Sequence, residues 1–466
     1  LFLNSYKGEV VEMNSLLAYV VILLILILVY IRTTKIKSTQ KEYFVLNKSE
    51  NVLGISLSFY ASGMGLWILT SPAEVAWWGL GYDVIGYAIS AATPFLLLYF
   101  LGPKIAKLTP DGATLPQFIQ IRYGRKAQII VSLIAIIYMS AFLVAEFASI
   151  NFLFPTIANV SGLWVMIFVG VFTYTYLKKS GFKASYVTDK LQGVAIVVLL
   201  IVLFSLWFSQ NSFSEIISYS KQAGLTTFET FSLKSALAVI LAVTAAEIFS
   251  QGYWQRTFSA KNETTIKKAS LISATGAFIT ILLLGVAGDV GAGKGLENPT
   301  LSFIGQLELN IFSSILLLSL CTLLVASSID TLENAISSTI SLDLIRKGPK
   351  EAQYITLAII HFAIFASLYV NNIFSVFLLA DLLAVCLVFP AFYKIKSKTK
   401  DLFLLIPFVF SLFTVFIYRY MFIDLSMNPG GVFIPTDLYG LADLNTFLIG
   451  FLSSTFATLA YNKFSK

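Results

Sequence analysis

The sequence predicts an all-α polytopic membrane protein with about 13 transmembrane helices. Of its 466 residues, 57% are hydrophobic and 12% are charged, whereas about 25% of the residues in soluble proteins are charged. The hydrophobic residues form thirteen segments, most of them near the roughly 20 residues that a helix needs to cross a bilayer. These segments cover residues 15–31, 51–78, 82–102, 128–154, 161–177, 185–208, 233–253, 269–290, 312–341, 352–370, 373–393, 402–422 and 445–461.

The lysine and arginine residues support the same number of spans. Of the 32 basic residues, 27 fall in alternate connections and in the C-terminal tail. By the positive-inside rule these connections are cytoplasmic, which places the N-terminus outside and the C-terminus in the cytoplasm. An odd number of spans likewise requires the two termini to lie on opposite sides of the membrane. The net charge of +7 is therefore a property of the cytoplasmic face, and we expect no nucleic-acid partner.

Two spans contain signals for a broken helix. The second span combines Gly63 and Gly65 with Pro72, and these residue types lower helix propensity or remove a backbone donor. The seventh span contains Gly252 among polar residues. Broken helices at matching places in two halves indicate the central binding site of a transporter. Because the two interrupted spans are five apart, spans 2–6 and 7–11 are predicted to form two five-helix repeats of opposite topology.

This interpretation divides the chain into four parts. Residues 1–50 hold an extracellular N-terminus, a leading transmembrane helix and the first cytoplasmic loop. Residues 51–208 form the first inverted repeat and residues 209–395 the second. Residues 396–466 hold two C-terminal transmembrane helices and a short cytoplasmic tail.

The ninth span is unusually polar for a membrane helix. Between Ser327 and Ser338 it carries eight side chains with hydroxyl, carboxylate or amide groups. A charged group at the bilayer centre costs roughly 2.5–3.5 kcal/mol on insertion scales, so these groups must face protein, water or an ion. Hard cations such as sodium prefer oxygen ligands. The resulting hypothesis is an ion site on a helix inside a transporter.

Four stretches of the chain resemble the sodium/solute symporter family, and the thirteen-span topology resembles its sodium/proline symporter branch. They are FYASGMGLWILTSPAE in the second span, SGFKASYVTDKLQG in the sixth, QGYWQRTFSAKN after the seventh and VASSIDTLENAISST in the ninth. The resemblance covers about residues 15–395. It implies a LeuT-like fold, in which ten core helices form two inverted five-helix repeats.

The resemblance also implies where ions bind. A sodium ion would be held between the first and eighth core helices by the backbone carbonyls of Ala61, Met64 and Leu324 and by the hydroxyls of Ser327 and Ser328. A second ion site would involve Asp189, Asp330 and Thr331. In family members with this second site, hydroxyls stand where this chain has Asp330 and Thr331, so the aspartate departs from the pattern.

Purely structural roles are the alternatives for these charged residues. Asp189 could pair with Lys183 or Lys190 at the cytoplasmic boundary. Asp330 could be hydrogen-bonded to the amides of a broken helix. Arg256 is expected to be a cytoplasmic anchor that sets the topology.

The solute is expected near the bilayer midplane, beside the sodium ion and the two broken helices. Glu74, Glu146, Glu247 and Asp381 are intramembrane carboxylates without an evident lysine partner, so a cationic or zwitterionic solute would supply the missing charge. Aromatic rings could bind an ammonium group through cation–π contact. The substrate-binding candidates are Trp67, Ser71, Glu74, Tyr138, Glu247, Gln251, Trp254 and Asp381.

The predicted function is sodium-coupled secondary active symport, which imports a small organic solute across the plasma membrane by alternating access. Proline or another small amino acid is the expected solute. The expected partners are Na+, this solute and the lipid bilayer, with no cofactor beyond Na+; the oligomeric state is left open. The alternatives are a proton-coupled transporter and a transporter-like membrane sensor. The lack of a nucleophile, base or metal motif argues against an enzyme.

Overall fold

The computed structural model describes residues 13–370, 373–394, 399–423, 431–436 and 441–464, without the side chains of residues 78–80 and 373–376. The predicted extracellular residues 1–12, part of the basic loop at 395–398 and the last tail residues 465–466 lie outside this range. The described chain is all-helical apart from isolated β-bridges.

Sixteen α-helices occur in the described residues. They are α1 (Ser15–Thr33), α2 (Val52–Gly63), α3 (Ser71–Leu108), α4 (Leu115–Tyr123), α5 (Arg125–Ala158), α6 (Gly162–Ser180), α7 (Phe182–Gln210), α8 (Phe213–Ala223), α9 (Thr230–Glu247), α10 (Gln251–Ser259), α11 (Glu263–Gly293), α12 (Ile311–Ser338), α13 (Pro349–Ser367), α14 (Ile373–Phe392), α15 (Leu402–Phe422) and α16 (Leu444–Phe464).

Each of the thirteen predicted segments coincides with helical structure. Within the described residues, nine helices are long and apolar enough to cross a membrane, and ten if the bent pair formed by residues 52–63 and 66–77 is one span. The all-helical, polytopic architecture is therefore confirmed, while the count of thirteen spans stays a prediction.

The predicted break in the second span is confirmed. Helix α2 ends at Gly63, Met64 leaves the helical region with φ −99° and ψ 86°, and a short 3₁₀ turn covers Leu66–Leu69. The chain turns by 65° between the two halves. Pro72 then lies in the first turn of α3, where its missing N–H does not interrupt a helical hydrogen bond.

The predicted break in the seventh span is also confirmed, between the end of α9 at Glu247 and the start of α10 at Gln251. The two broken helices run in opposite directions. Glu50, just before α2, exchanges backbone hydrogen bonds with the chain at the end of α10, whereas α9 begins near Gly81, whose N–H donates to the Thr227 carbonyl. Opposite directions agree with inverted repeats, whose symmetry and boundaries remain predictions.

The connections that are rich in lysine and arginine meet at one end of the helix bundle. They are joined by an ion pair of 3.1 Å between Lys183 and Glu42, by the Arg125 side chain bonded to the Asp343 carbonyl, and by a 2.9 Å backbone bond from Thr399 to Arg122. This gathering agrees with the charge asymmetry of the sequence. The assignment of that end to the cytoplasm stays a prediction.

Helix α12 lies at the centre of the bundle. Every residue from Leu320 to Ser338 is buried, whereas α1 and α15 present large hydrophobic side chains on the outside. The polar groups of α12 therefore face protein, as the cost of exposing them to lipid requires.

Candidate ion and substrate sites

The structure brings together the two segments that were predicted to bind sodium. The end of α2 packs against α12, and the main-chain and side-chain positions of Ala61, Met64, Leu324, Ser327 and Ser328 are all buried. The helical bonds of α2 end with the Met64 N–H bonded to the Tyr60 carbonyl at 2.9 Å. Ser62 and Gly63 at the end of α2 line one small cavity together with Ser328 of α12. Main-chain carbonyls and hydroxyls are the oxygen ligands that a hard cation prefers.

The two serine hydroxyls each donate to an acceptor of the protein, which leaves their oxygen lone pairs available to a cation. The Ser327 hydroxyl donates to Asp189 at 3.0 Å, and the Ser328 hydroxyl donates to the Val325 carbonyl at 3.3 Å. A hydroxyl oxygen has two acceptor lone pairs besides its one donor. Both serines could therefore bind Na+ without breaking these bonds.

Asp189 is paired with a fully buried arginine. Oδ2 of Asp189 lies 2.5 Å from the guanidinium of Arg256, and neither side chain is exposed. The same guanidinium donates to the Ser58 hydroxyl at 2.7 Å, the Gly252 carbonyl at 2.7 Å and the Thr331 hydroxyl at 2.8 Å. This network ties α2, α7, α10 and α12 together close to both helix breaks.

Two expectations about this network are wrong. Arg256 is not a cytoplasmic anchor, because α10 carries it into the core, where it neutralises a buried carboxylate. Asp189 does not pair with Lys183 or Lys190, whose ammonium groups bind glutamates of the loop between α1 and α2.

Asp330 is surrounded by hydroxyl groups. It accepts hydrogen bonds from Tyr176 at 2.6 Å, Ser185 at 2.8 Å and Thr188 at 3.1 Å, and Thr331 donates to it at 3.3 Å. The expected amide partners from a broken helix are therefore replaced by side chains of α6 and α7. Thr331 links this carboxylate to Arg256, so the residues predicted for a second ion site belong to one connected network.

A cavity lies beside the first helix break, between α3, α5, α9 and α14. In this conformation the cavity is narrow, with a free volume of about 40 Å³, well below the roughly 300–1,000 Å³ of sites that hold a small molecule. Four of the predicted substrate-binding residues line it: Trp67, Tyr138, Glu247 and Asp381. A second, smaller cavity of about 20 Å³ shares part of these walls and extends to Ser328.

The other four candidates do not line these cavities. Ser71 and Glu74 lie in the first turn of α3 and interact with Tyr87, which lines the larger cavity. Gln251 instead bonds the backbone of Leu115 at 3.0 Å and of Ala113 at 2.6 Å.

Trp254 is fully buried and donates its indole N–H to the Ile248 carbonyl at 2.6 Å. The assignment of Gln251 and Trp254 to the pocket is therefore wrong. At the start of α10 both side chains bond main-chain groups of the protein instead of lining the cavity.

Several wall residues were missed in the sequence. Tyr253 lies between the two wrongly assigned residues of the same stretch, and Tyr87, Phe142 and Phe377 complete an aromatic lining. The sequence offered no signal that separates these rings from other aromatic residues, since 15% of the chain is aromatic.

Glu146 of α5 was recognised as an unpartnered carboxylate but was assigned to no site. It accepts the Leu66 N–H at 2.9 Å inside the first break.

Two acidic side chains of the cavity wall, Glu247 and Asp381, have no cationic partner among the described residues. Glu247 lies beside the hydroxyls of Tyr138 and Tyr253, and Asp381 lines the same cavity. Every ion pair found in the described part of the chain involves other acidic residues. Buried carboxylates of this kind favour the approach of a cation.

No protein-family model matches the sequence. A spermidine transporter of Candida albicans, DUR31, is 26% identical over 362 residues, which cover 75% of this chain and 69% of that protein. Among solved structures, a Na+-coupled sialic acid symporter in a substrate-bound outward-open state has a TM-score of 0.77 at 16% identity. The alignment covers 96% of this chain and 97% of that one.

The nucleobase-cation-symport-1 family transporter Mhp1, in a closed conformation with bromovinylhydantoin bound, has a TM-score of 0.55 at 13% identity. It covers 91% of this chain and 95% of its own. These similarities do not single out the proline branch that the sequence motifs suggested. Relatives and structural neighbours together indicate a multi-pass membrane transporter of the symporter type, with the fold of a Na+-coupled symporter.

Proposed function

We propose that this protein is a Na+-coupled symporter that imports a small organic cation by alternating access. The observation that carries the proposal is the pair of buried carboxylates, Glu247 and Asp381, in an aromatic cavity beside a helix break. A bound cation would neutralise these groups, and the desolvated rings of Trp67 and Tyr138 would add cation–π attraction.

A polyamine is the substrate class that the proposal favours. A linear polyamine has ammonium groups separated by short methylene chains, which suits carboxylates spaced along an apolar wall. The similarity to a spermidine transporter supports this choice. Proline or another small amino acid has less support, because its carboxylate needs a positive partner and no lysine or arginine is among the described residues that line the cavities.

We place the coupling Na+ at the carbonyls and hydroxyls of α2 and α12, named above. Binding there would tie the unwound end of α2 to α12 and complete the wall of the neighbouring cavity. Na+ can drive the transition only if the outward-open and inward-open states bind it with different affinity. The membrane potential adds about 2.3 kcal/mol per charge per 100 mV.

The second ion site at Asp189, Asp330 and Thr331 is the weaker part of the proposal. The guanidinium of Arg256 already neutralises Asp189 and donates to Thr331. A second Na+ would therefore have to displace a fully buried arginine or bind at Asp330 alone. One Na+ per cycle is the stoichiometry that this network favours.

We further propose a plasma-membrane location with the basic end of the bundle in the cytoplasm. The N-terminus would then lie outside and the C-terminal tail inside, as the charge asymmetry requires. The boundaries at residues 51, 209 and 396 between the leading helix, the two inverted repeats and the C-terminal pair belong to the same proposal.

The test is uptake of radiolabelled spermidine and L-proline into proteoliposomes with an imposed Na+ gradient. We expect Na+-driven spermidine uptake that Ser328→Ala abolishes by weakening Na+ binding. We also expect Glu247→Gln to reduce spermidine affinity by about tenfold or more, as for a lost charge-assisted hydrogen bond. Lys267→Gln, which removes an exposed pair with Glu263 at the bundle end, is the control for reconstitution.

Three results would contradict parts of this proposal. Na+-driven uptake of proline but not of spermidine would show that the substrate is an amino acid. Uptake driven by a proton gradient without Na+ would make the carboxylates the coupling site. If Ser328→Ala leaves Na+-driven transport unchanged, the assignment of the Na+ site to α12 is wrong.

A further inference from the structure

The carboxylate of Glu146, on α5, contacts the backbone of the first helix break. Glu146 lies near the middle of α5 and is only 1% exposed. One carboxylate oxygen accepts the Leu66 N–H at 2.9 Å, and the Trp67 N–H and the Ser328 hydroxyl lie beside the same group. The carboxylate therefore accepts hydrogen bonds from the main-chain N–H groups of two successive residues at the interruption of the helix, next to the proposed Na+ ligand Ser328.

Gly65 makes this close approach possible. A Cβ atom at Gly65 would overlap the Glu146 carboxylate, so the acidic group lies directly against the main chain. The φ of Gly65 is −85°, which any residue can adopt. The glycine is therefore required here by space rather than by backbone conformation.

The same backbone is the expected receptor for an anionic substrate group. In transporters with broken helices, the amides of the unwound segment and of the following half-helix face the anionic group of the substrate. Here a carboxylate of the protein takes that position, and it lines the smaller cavity with Trp67, Tyr138 and Glu247. A solute that carries its own carboxylate would meet a filled space and a like charge.

We propose that Glu146 is a specificity-determining residue that closes the amides of the break to carboxylate-bearing solutes and leaves the cavity selective for cations. This inference rests on the proposed function, since it concerns the solute class of the same cavity. Glu146 acts by occupying the main-chain N–H groups of the break, so its role differs from that of Glu247 and Asp381, which would bind the ammonium groups.

Cadaverine and L-lysine provide a matched pair of probes, because lysine is cadaverine with one added carboxylate. We would measure the dissociation constants of both for the purified protein in Na+, and compare their ratio between variants. We expect the wild type to prefer cadaverine. Glu146→Ala should reduce this preference by about tenfold or more, because it frees roughly one charge-assisted hydrogen bond for the lysine carboxylate.

Two further variants make the result interpretable. Glu146→Gln keeps the space filled but removes the charge, so it should reduce the preference by a smaller factor and serves if the alanine variant does not fold. Glu333→Gln is the matched control, because it removes a buried carboxylate of α12 that bonds Thr173 and does not line the cavities. Its ratio should equal that of the wild type.

The outcomes separate this inference from the proposed function. If the wild type binds cadaverine in Na+ but neither Glu146 variant changes the ratio, the role of Glu146 is refuted and the cation substrate stands. If the wild type binds lysine as tightly as cadaverine, Glu146 does not exclude carboxylates. If the wild type binds neither probe, the organic-cation proposal fails, and the inference fails with it.

Discussion

Replacement of Arg256 by glutamine tests the buried network that connects the two broken helices. The substitution removes the guanidinium that lies 2.5 Å from Asp189, and both side chains are fully buried. It also leaves the Ser58 carbonyl and the Gly252 carbonyl without the donors that they have at 3.2 and 2.7 Å. We expect a large loss of stability, because the Asp189 carboxylate would remain in the core without a cation.

The size of this loss follows from the geometry. Two unit charges about 4 Å apart interact with roughly 4 kcal/mol at the effective dielectric constant of about 20 that describes protein sites. Removal of one partner of a buried ion pair costs about 3–5 kcal/mol in measured cases. The additional donors of Arg256 place the expected value at the upper end of this range.

A double substitution separates the charge from the packing. In Arg256→Gln/Asp189→Asn the carboxylate that Arg256 pairs with is removed as well, so more than half of the lost stability should return. Unfolding by SDS titration in mixed micelles would give the free-energy differences for the single and double variants. Lys267→Gln is the control, because it removes an ion pair whose side chains are 39% and 62% exposed and should change stability far less.

The reasoning would be refuted if Arg256→Gln were no more destabilising than this control. It would also be refuted if the effects of the two single substitutions simply added in the double variant, since residues in one network are expected to couple.

Two further substitutions test other contacts by the same unfolding measurement. Gly65→Ala should destabilise by about 1–3 kcal/mol, as overpacking does, because its Cβ overlaps the Glu146 carboxylate and lies 2.9 Å from Cδ1 of Trp67; in a Glu146→Ala background most of the cost should disappear, and a cost that persists in full would contradict the clash with Glu146. Arg419→Gln should cost roughly 2–3 kcal/mol, because Arg419 is fully buried and bonds Thr446 at 2.6 Å and Asp443 at 3.3 Å. Arg419→Lys should not restore stability, since a single ammonium group cannot reproduce the planar fork of donors.

The helices and their breaks were predictable because they depend on local composition. Long apolar segments require helices in a bilayer, and Gly63, Gly65 and Pro72 weaken the helix where they occur. The burial of the polar face of α12 follows from the same cost of exposing charges to lipid.

The pocket was only partly predictable. Glu247 and Asp381 were found because a carboxylate inside a membrane span is rare and expensive. Gln251, Trp254 and Tyr253 belong to one stretch, but only the tyrosine faces the cavity. Which of them does so depends on the residue at which α10 begins, and a shift of one residue on a helix rotates a side chain by about 100°.

Local residue patterns predict a polytopic helical membrane protein, two interrupted spans, basic connections at one end of the bundle and a set of intramembrane carboxylates. The partners of the charged groups depend on the tertiary structure. Arg256 and Asp189 are in contact although they lie 67 residues apart in the chain, and Glu146 bonds the Leu66 amide 80 residues away. Such contacts depend on how whole helices pack, and no local pattern of residues contains that information.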